Sequence, residues 1–332
     1  MKNMKFYFVL IVISLFTFIN TLAQDSGYEI AITVDKIDQS VAYLGYYYGD
    51  KRYITDTSQV TNQKAVFSDN ESLPGGIYFF YTPGDYFEII IDSDQHFSIT
   101  TDTLDYVKNM QVSGSKENEL FRDLRVYVNQ RQSKAAEIGN QLKVQTDPEA
   151  QAELKSQLAA IEKEVIAYQQ KIIVENPDLF LANILKATLR PEVPEPPKDA
   201  NGNMIDPNFQ FNYYKSHFFD HIDLSDDRYL RTNFFHNKVM EYLEKLTHPH
   251  PDSVIKSATY LIEQSKDNKD MFRYMVVTLT GKYETSEIMG MDAVFVNLAE
   301  KYYLNGSAEW ADEEVLEKIR TKVNETKPNL IG

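Results

Sequence analysis

Two periods divide the chain. From Tyr28 to about Gly114, apolar and polar side chains alternate. Ile30, Ile32 and Val34 interleave with Glu29, Thr33 and Asp35, and Phe87, Ile89 and Ile91 interleave with Tyr86, Glu88 and Asp92. Phe97, Ile99 and Thr101 continue the rhythm. A period of two sends successive side chains to opposite faces, so this stretch predicts antiparallel strands with one face buried. Gly49-Asp50, Asp69-Asn70, Pro74-Gly75-Gly76, Pro83-Gly84 and Asp92-Ser93-Asp94 supply the turns. Seven or eight short strands at such spacing predict an antiparallel β-sandwich or a partly closed barrel.

After Gly114 the period lengthens. Ser115, with Asn118 and Glu119, opens a helix carrying Leu120, Phe121, Leu124 and Val128. Asp147-Pro148 is an N-cap followed by a proline at the first helical position. The helix behind it sets Leu154, Leu158, Ile161, Val165, Tyr168 and Ile172 four, three, four, three and four residues apart. That seam predicts a long helical hairpin packed on its own domain, in preference to a coiled coil between chains. Asn176-Pro177 ends the helix and Asp178 to Leu189 forms another. Arg190 to Pro207 carries five prolines and Asn201-Gly202, and is an exposed loop. Amphipathic helices follow, marked by Phe235/Val239/Leu243, Val254/Ala258/Leu261, Phe272/Met275/Leu279, Met291/Phe295/Leu298 and Val315/Ile319/Val323. The fold class is therefore α+β in two domains, the β domain first and an all-α domain second.

The first residues differ from both patterns. Lys2 and Lys5 precede an apolar run from Phe6 to Ile19, and Thr21-Leu22-Ala23 supplies small residues at the −3 and −1 positions. This is the pattern of a secretory signal peptide, with cleavage expected between Ala23 and Gln24 and no membrane span afterwards. The expected order is 1–23 signal, 24–114 β domain, 115–190 helical hairpin region, 191–207 Pro-rich loop, 208–327 helical domain and 328–332 a junction. The expected location is the periplasm, or outside the cell.

Charge and composition narrow the chemistry. The formal charge is −15, with Lys and Arg totalling 34 against 49 Asp and Glu, which argues against a nucleic-acid partner. There is no cysteine, so thiolate catalysis, disulfides and Cys-ligated metal are excluded for these residues. His217 and His221 stand four apart, but Phe218 occupies the place where a zincin needs Glu, and two ligands are too few for zinc. His248 and His250, each followed by Pro, read as a loop leading to an N-cap at Asp252. No G-x-S-x-G elbow, P-loop or G-x-G-x-x-G is present. No cofactor, metal or catalytic residue is expected. Aromatic crowding is the strongest local signal. Tyr43, Tyr46, Tyr47, Tyr48 and Tyr53 share one hairpin, and Tyr78, Phe79, Phe80 and Tyr81 fill another strand. Such rings mostly form β cores. As a binding platform for a glycan or peptide, the candidates are Tyr46, Tyr48, Tyr78 and Phe80.

Several stretches together resemble one family. They are Leu73-Pro74-Gly75-Gly76-Ile77-Tyr78, the run from Val112 through Gly114-Ser115 and Glu117-Asn118 to Phe121, Tyr213 through Asp223, Asp226-Asp227-Arg228 with Arg231-Thr232, and Met271-Phe272-Arg273-Tyr274. They resemble the N-terminal β domain and helical domain of TlpA-like thiol–disulfide oxidoreductases of Gram-negative envelopes. In those proteins a thioredoxin-like domain follows a segment similar to Lys327-Pro328-Asn329-Leu330-Ile331-Gly332. Here the sequence stops, which the resemblance makes a truncation at a domain junction. The resemblance implies a non-catalytic accessory region that binds a protein client or a thioredoxin-like domain. A free-standing envelope glycan- or peptide-binding protein is the alternative. A carboxylate or His217/His221 hydrolase is a third reading.

Overall fold

The computed structural model describes residues 27–327. The expected signal segment with its Ala23–Gln24 cleavage point, and the junction at 328–332, lie outside the described residues. The chain is an α+β protein. Eight strands come first: β1 (Tyr28–Asp35), β2 (Val41–Tyr48), β3 (Lys51–Gln59), β4 (Lys64–Asp69), β5 (Gly76–Thr82), β6 (Asp85–Ile91), β7 (His96–Asp102) and β8 (Gln111–Ser113). They form two open four-stranded sheets, ordered β4-β1-β7-β8 and β3-β2-β5-β6. The result is a sandwich rather than a barrel. Within the first sheet β1 and β7 run parallel, with Ile30 beside Phe97 and Ile32 beside Ile99. Alternation along each strand reports which face is buried but carries no strand direction, so this exception was invisible in the pattern.

The space between the sheets is filled by the alternating residues: Ile30 and Ile32 of β1, Leu44 of β2, Phe67 of β4, Phe80 of β5, and Phe87 and Ile89 of β6. The second sheet buries its other face as well. Tyr47, Ile77, Phe79 and Ile90 belong to a separate core formed with the helices. The molecule therefore has three layers: sheet, sheet and helices.

Helices follow as α1 (Lys116–Val144), α2 (Pro148–Glu175), α3 (Phe180–Thr188), α4 (Phe209–Ser216), α5 (Phe235–Glu244), α6 (Pro251–Gln264), α7 (Lys269–Glu284), α8 (Asp292–Leu298) and α9 (Glu313–Thr326). A 3-10 turn at Asp227–Arg231 precedes α5, and a π turn at Ala299–Tyr303 extends α8. Ser115 caps α1, accepting from the Asn118 amide at 3.3 Å, and Asp147 caps α2 from the Ala150 amide at 3.4 Å. The three residues between α1 and α2 turn the chain back on itself. Tyr127 stacks on Tyr168 at 4.1 Å and Arg131 meets Glu164 at 3.3 Å, so the two helices are antiparallel. On α2, Ile161 and Ile172 of the seam are buried. The seam closes within one chain.

Two helix boundaries differ from the sequence reading. The N-cap of α6 is His250, not Asp252. Pro251 takes the first helical position, which its fixed φ suits, and this moves Asp252 into the first turn. The His217-to-His221 stretch is not helical, because α4 ends at Ser216 and His217 is its C-cap.

Candidate functional site

The helical layer is fastened to the sandwich at three places. The first gathers residues far apart in sequence. Gly75 and Gly76, entering β5, lie so close to Arg228 and Arg231 that a Cβ at either position would strike those side chains. The Arg228 guanidinium reaches Asp92 at 2.9 Å and Asp226 at 2.7 Å, and Arg231 reaches Asp227 at 3.0 Å. Asp226 and Asp92 hold the Arg228 charge firmly, pushing its pKa upward. Asp92 is itself raised by burial, against the pull of Arg228. On α1, the Asn118 side chain accepts from the Ile90 amide at 2.8 Å and donates to the Ile90 carbonyl at 2.7 Å. One amide thus supplies the two bonds a neighbouring strand would give β6. Its neighbour Glu117 is 2 % exposed and accepts from the Leu181 amide at 2.6 Å. Burial raises its carboxyl to about 7. Residues of three separate stretches, 73–78, 112–121 and 226–232, meet here. Their residue types are explained by close packing and charge neutralisation at a joint.

The second fastening is the tip of the β2–β3 hairpin. Gly49 turns the chain at φ +63, and its amide donates to the Leu230 carbonyl at 3.1 Å. A Cβ there would meet the Tyr274 ring at 2.8 Å, so glycine serves both the left-handed turn and the close approach. Tyr48 meets Tyr274 edge-on at 5.8 Å. Tyr274 shares a hydrogen bond with His236 Nδ1 at 2.7 Å. Burial lowers the His236 pKa and raises that of Tyr274, keeping both neutral.

Beside this tip lies an open cleft of about 440 Å³. One wall is the hairpin, with Tyr48, Asp50, Lys51 and Tyr53. The other is α7, with Arg273, Tyr274, Val277 and Thr278. Arg273 also borders a second hollow of about 390 Å³, lined by Lys266, Lys269, Phe272 and Trp310 among others. Among the described residues, Lys51, Lys269 and Arg273 make no ion pair. The cleft is an aromatic-walled groove whose cations make no ion pair, with Asp50 beside them, on an acidic molecule. It suits an extended ligand better than a small enclosed one.

The four platform candidates are divided by the fold. Tyr78 and Phe80 are each 1 % exposed and face the inter-sheet core, where the Tyr78 hydroxyl donates to the Pro74 carbonyl at 2.6 Å. They are out of a ligand's reach, because their strand is buried on both faces from Ile77 to Phe80, and Tyr81 is the ring it leaves exposed. Tyr46 is half-buried and stacks on Tyr53 at 5.6 Å. Tyr48 lines the cleft. Lys51, Arg273, Tyr274 and Val277 were not singled out as binding residues, since no sequence signal joins a hairpin tip to a helix some 220 residues later.

Other chemistry-bearing groups are occupied. Glu88 accepts from Tyr47 at 2.7 Å, Tyr86 at 2.9 Å and Asn233 at 3.0 Å, all at one oxygen, while the Tyr47 and Tyr86 hydroxyls bond each other. Arg52 lies 5.5 Å and 5.7 Å from those two rings. This is the third fastening, a clamp between strands and helices. His217 stacks on Tyr213 and donates from Nδ1 to its carbonyl at 2.8 Å, and His221 is exposed on a turn. The two do not share a helical face. Among the described residues, no group of three or more His, Cys, Asp or Glu could hold a metal ion. None of their helices is long and apolar enough to cross a membrane.

The fold and cleft thus define a class: a sandwich bonded face-on to a helical layer, with a groove at the seam. The chain belongs to the family described as a domain of unknown function (DUF5106), whose model matches residues 155–329. A second model, also described as a domain of unknown function (DUF4369), matches residues 28–121. No curated protein and no solved structure matches the chain.

Proposed function

We propose that the chain is the non-catalytic, partner-binding region of a thioredoxin-like thiol–disulfide oxidoreductase of the bacterial envelope. In this reading the thiol chemistry belongs to a thioredoxin-like domain, and the present residues hold the polypeptide on which it acts. The observation that carries the binding part is the cleft between the β2–β3 hairpin and α7. Its walls are aromatic, its cations make no ion pair, and Gly49 sets the hairpin tip directly against α7. The redox part is carried by the resemblance of the joint and α7 stretches to the TlpA-like family.

The test is a fusion of this chain to a thioredoxin-like domain, assayed on reducible envelope proteins. The fusion is expected to show a lower KM than the isolated domain. Tyr53→Ala with Arg273→Ala is expected to return KM to that of the isolated domain with kcat unchanged. Equal KM values for fusion and isolated domain would sink the proposal. A free-standing glycan-binding protein is the second reading, favoured by Trp310 and Phe272 standing beside Lys269 and Arg273. Calorimetric titration with envelope glycans tests it.

A further inference from the structure

The two sheets have four edges, and three are closed or blunted. β8 is only three residues long. β4 is tied to β3 by the Val66 amide, which donates to Ser58 Oγ at 2.9 Å. β6 is blunted at Ile90, whose amide and carbonyl are both taken by the Asn118 side chain. The fourth edge, β3, is different. It is outermost in its sheet and paired only with β2, in regular register from Lys51 to Ile54 before a bulge at Thr55, and its first five residues, Lys51 to Thr55, are all exposed. Among the described residues, no backbone group from Lys51 to Thr55 bonds to anything beyond β2. This segment also carries two large exposed apolar side chains, Tyr53 at 42 % and Ile54 at 50 %. An open edge with a row of unpaired amides and carbonyls is a template for another strand.

We propose that the Lys51–Thr55 edge of β3 accepts an extended acidic segment of a partner polypeptide as a fifth strand of its sheet. This rests on the polypeptide-binding reading above and names how the partner is held. Main-chain bonds to β3 supply affinity irrespective of sequence, and alternate side chains supply the selection. Those on one face fall beside Tyr53 and into the cleft facing Val277 and Arg273; those on the other lie along Arg52 and Ile54. Three cations without an ion pair border the edge: Lys51, Arg52 and Arg273. Asp50 and Asp56 stand near them and offset part of that charge. The same cations disfavour in-register parallel pairing with a second copy of this chain, which would set Lys51 and Arg52 against their equivalents. An acidic strand is therefore favoured over a basic one.

The experiment uses the whole chain and two blocked eight-residue peptides, one alternating glutamate with valine and one alternating lysine with valine. Calorimetry reads affinity, and amide hydrogen exchange reads the position. The glutamate peptide is expected to bind, to slow exchange at amides within Lys51–Thr55 at least tenfold, and to weaken at least tenfold on Arg273→Glu or Lys51→Glu. Both substitutions are at exposed sites, and an unchanged melting curve shows that the fold is kept. Equal binding of the lysine peptide overturns the acidic preference. Binding without protection of β3 overturns strand addition. Silence of both peptides at millimolar concentration overturns the whole proposal, as does binding of anionic oligosaccharides alone. A reduced client that binds the chain with β3 unprotected overturns strand addition while the accessory reading stands; loss of client binding as well removes both.

Discussion

Glu117 occupies a place where a carboxylate is normally too costly. It is enclosed between α1, α3 and the strand end at Asp92, and among the described residues its carboxyl accepts one hydrogen bond, from the Leu181 amide. Desolvation outweighs that bond and lifts its pKa from 4.5 to about 7. The linkage follows directly. Between pH 4.5 and 7 the unfolded chain has released this proton while the folded chain keeps it. The Glu117 contribution to stability is therefore full below pH 4.5, falls as pH rises, and is lost above 7. Glu117→Gln keeps an acceptor for the Leu181 amide. It is expected to remove this downward slope in denaturation midpoints and to stabilise the protein by roughly 2–3 kcal/mol at pH 8. An unchanged slope would show that the proton is held elsewhere. Glu263 works in the opposite sense. Burial raises its pKa, but bonds from Lys266, Tyr302 and Lys301 outweigh this and hold it at about 2. Its contribution is present above pH 4.5 and is lost as pH falls toward 2. Gly76 gives a simpler test. Gly76→Ala puts a methyl against Arg231 and is expected to cost about 1–3 kcal/mol by overpacking, measured by chemical denaturation.

At the scale of elements, the α1–α2 hairpin and the β6 edge show different ways of living without a neighbour. The hairpin helices are 29 and 28 residues long, about 43 Å each at 1.5 Å per residue. Beyond the joint they bury a narrow stripe, with Ile138 and Ile161 buried and most of the remainder wet. An arm held by so little apolar contact opens locally before the molecule unfolds. Hydrogen exchange is expected to be faster in residues 130–160 than in α7, and Ile161→Ala is expected to speed it further without moving the main thermal transition. A matching drop in that transition would mean the arm is part of the main folding unit. For β6, Asn118→Ala leaves a buried donor and acceptor on Ile90 without partners. The expected cost is about 1–3 kcal/mol, and Asn118→Asp, which retains only the acceptor, is expected to recover less than half of it.

For the whole molecule, the sheet shared between two cores decides the behaviour. Phe79 packs against Tyr47 and Tyr86 on the helix side, while its neighbour Phe80 packs against Phe67 and Phe87 on the sandwich side. Removing the helical layer would expose Tyr47, Ile77, Phe79 and Ile90 together. The two parts are therefore expected to unfold in one calorimetric transition. Phe79→Ala is expected to destabilise that transition by about 3–5 kcal/mol as a unit. Two separated transitions would show that the sandwich stands alone.

Period and turn chemistry made the α+β class, the strand-rich first part and the helical remainder legible, because alternation and heptad spacing are local consequences of backbone geometry. The hairpin seam from Leu154 to Ile172 was readable for the same reason. The parallel pairing of β1 with β7 was not, since a strand's pattern is the same in either direction. In the ring-rich strand from Ile77 to Tyr81 the helical layer buries Phe79 and leaves Tyr81 exposed, a division that residue type alone does not show. Gly75, Asp92, Asn118 and Arg228 were visible as separate stretches, and their common purpose emerges when the fold brings them within hydrogen-bonding reach. The cleft is the extreme case. Tyr48 and Tyr53 were conspicuous by type, whereas Arg273 and Val277 become their neighbours only because Gly49 lets the hairpin tip press against α7. Local propensities determine elements through short-range sterics; a binding groove depends on contacts between distant residues, which only the tertiary structure decides.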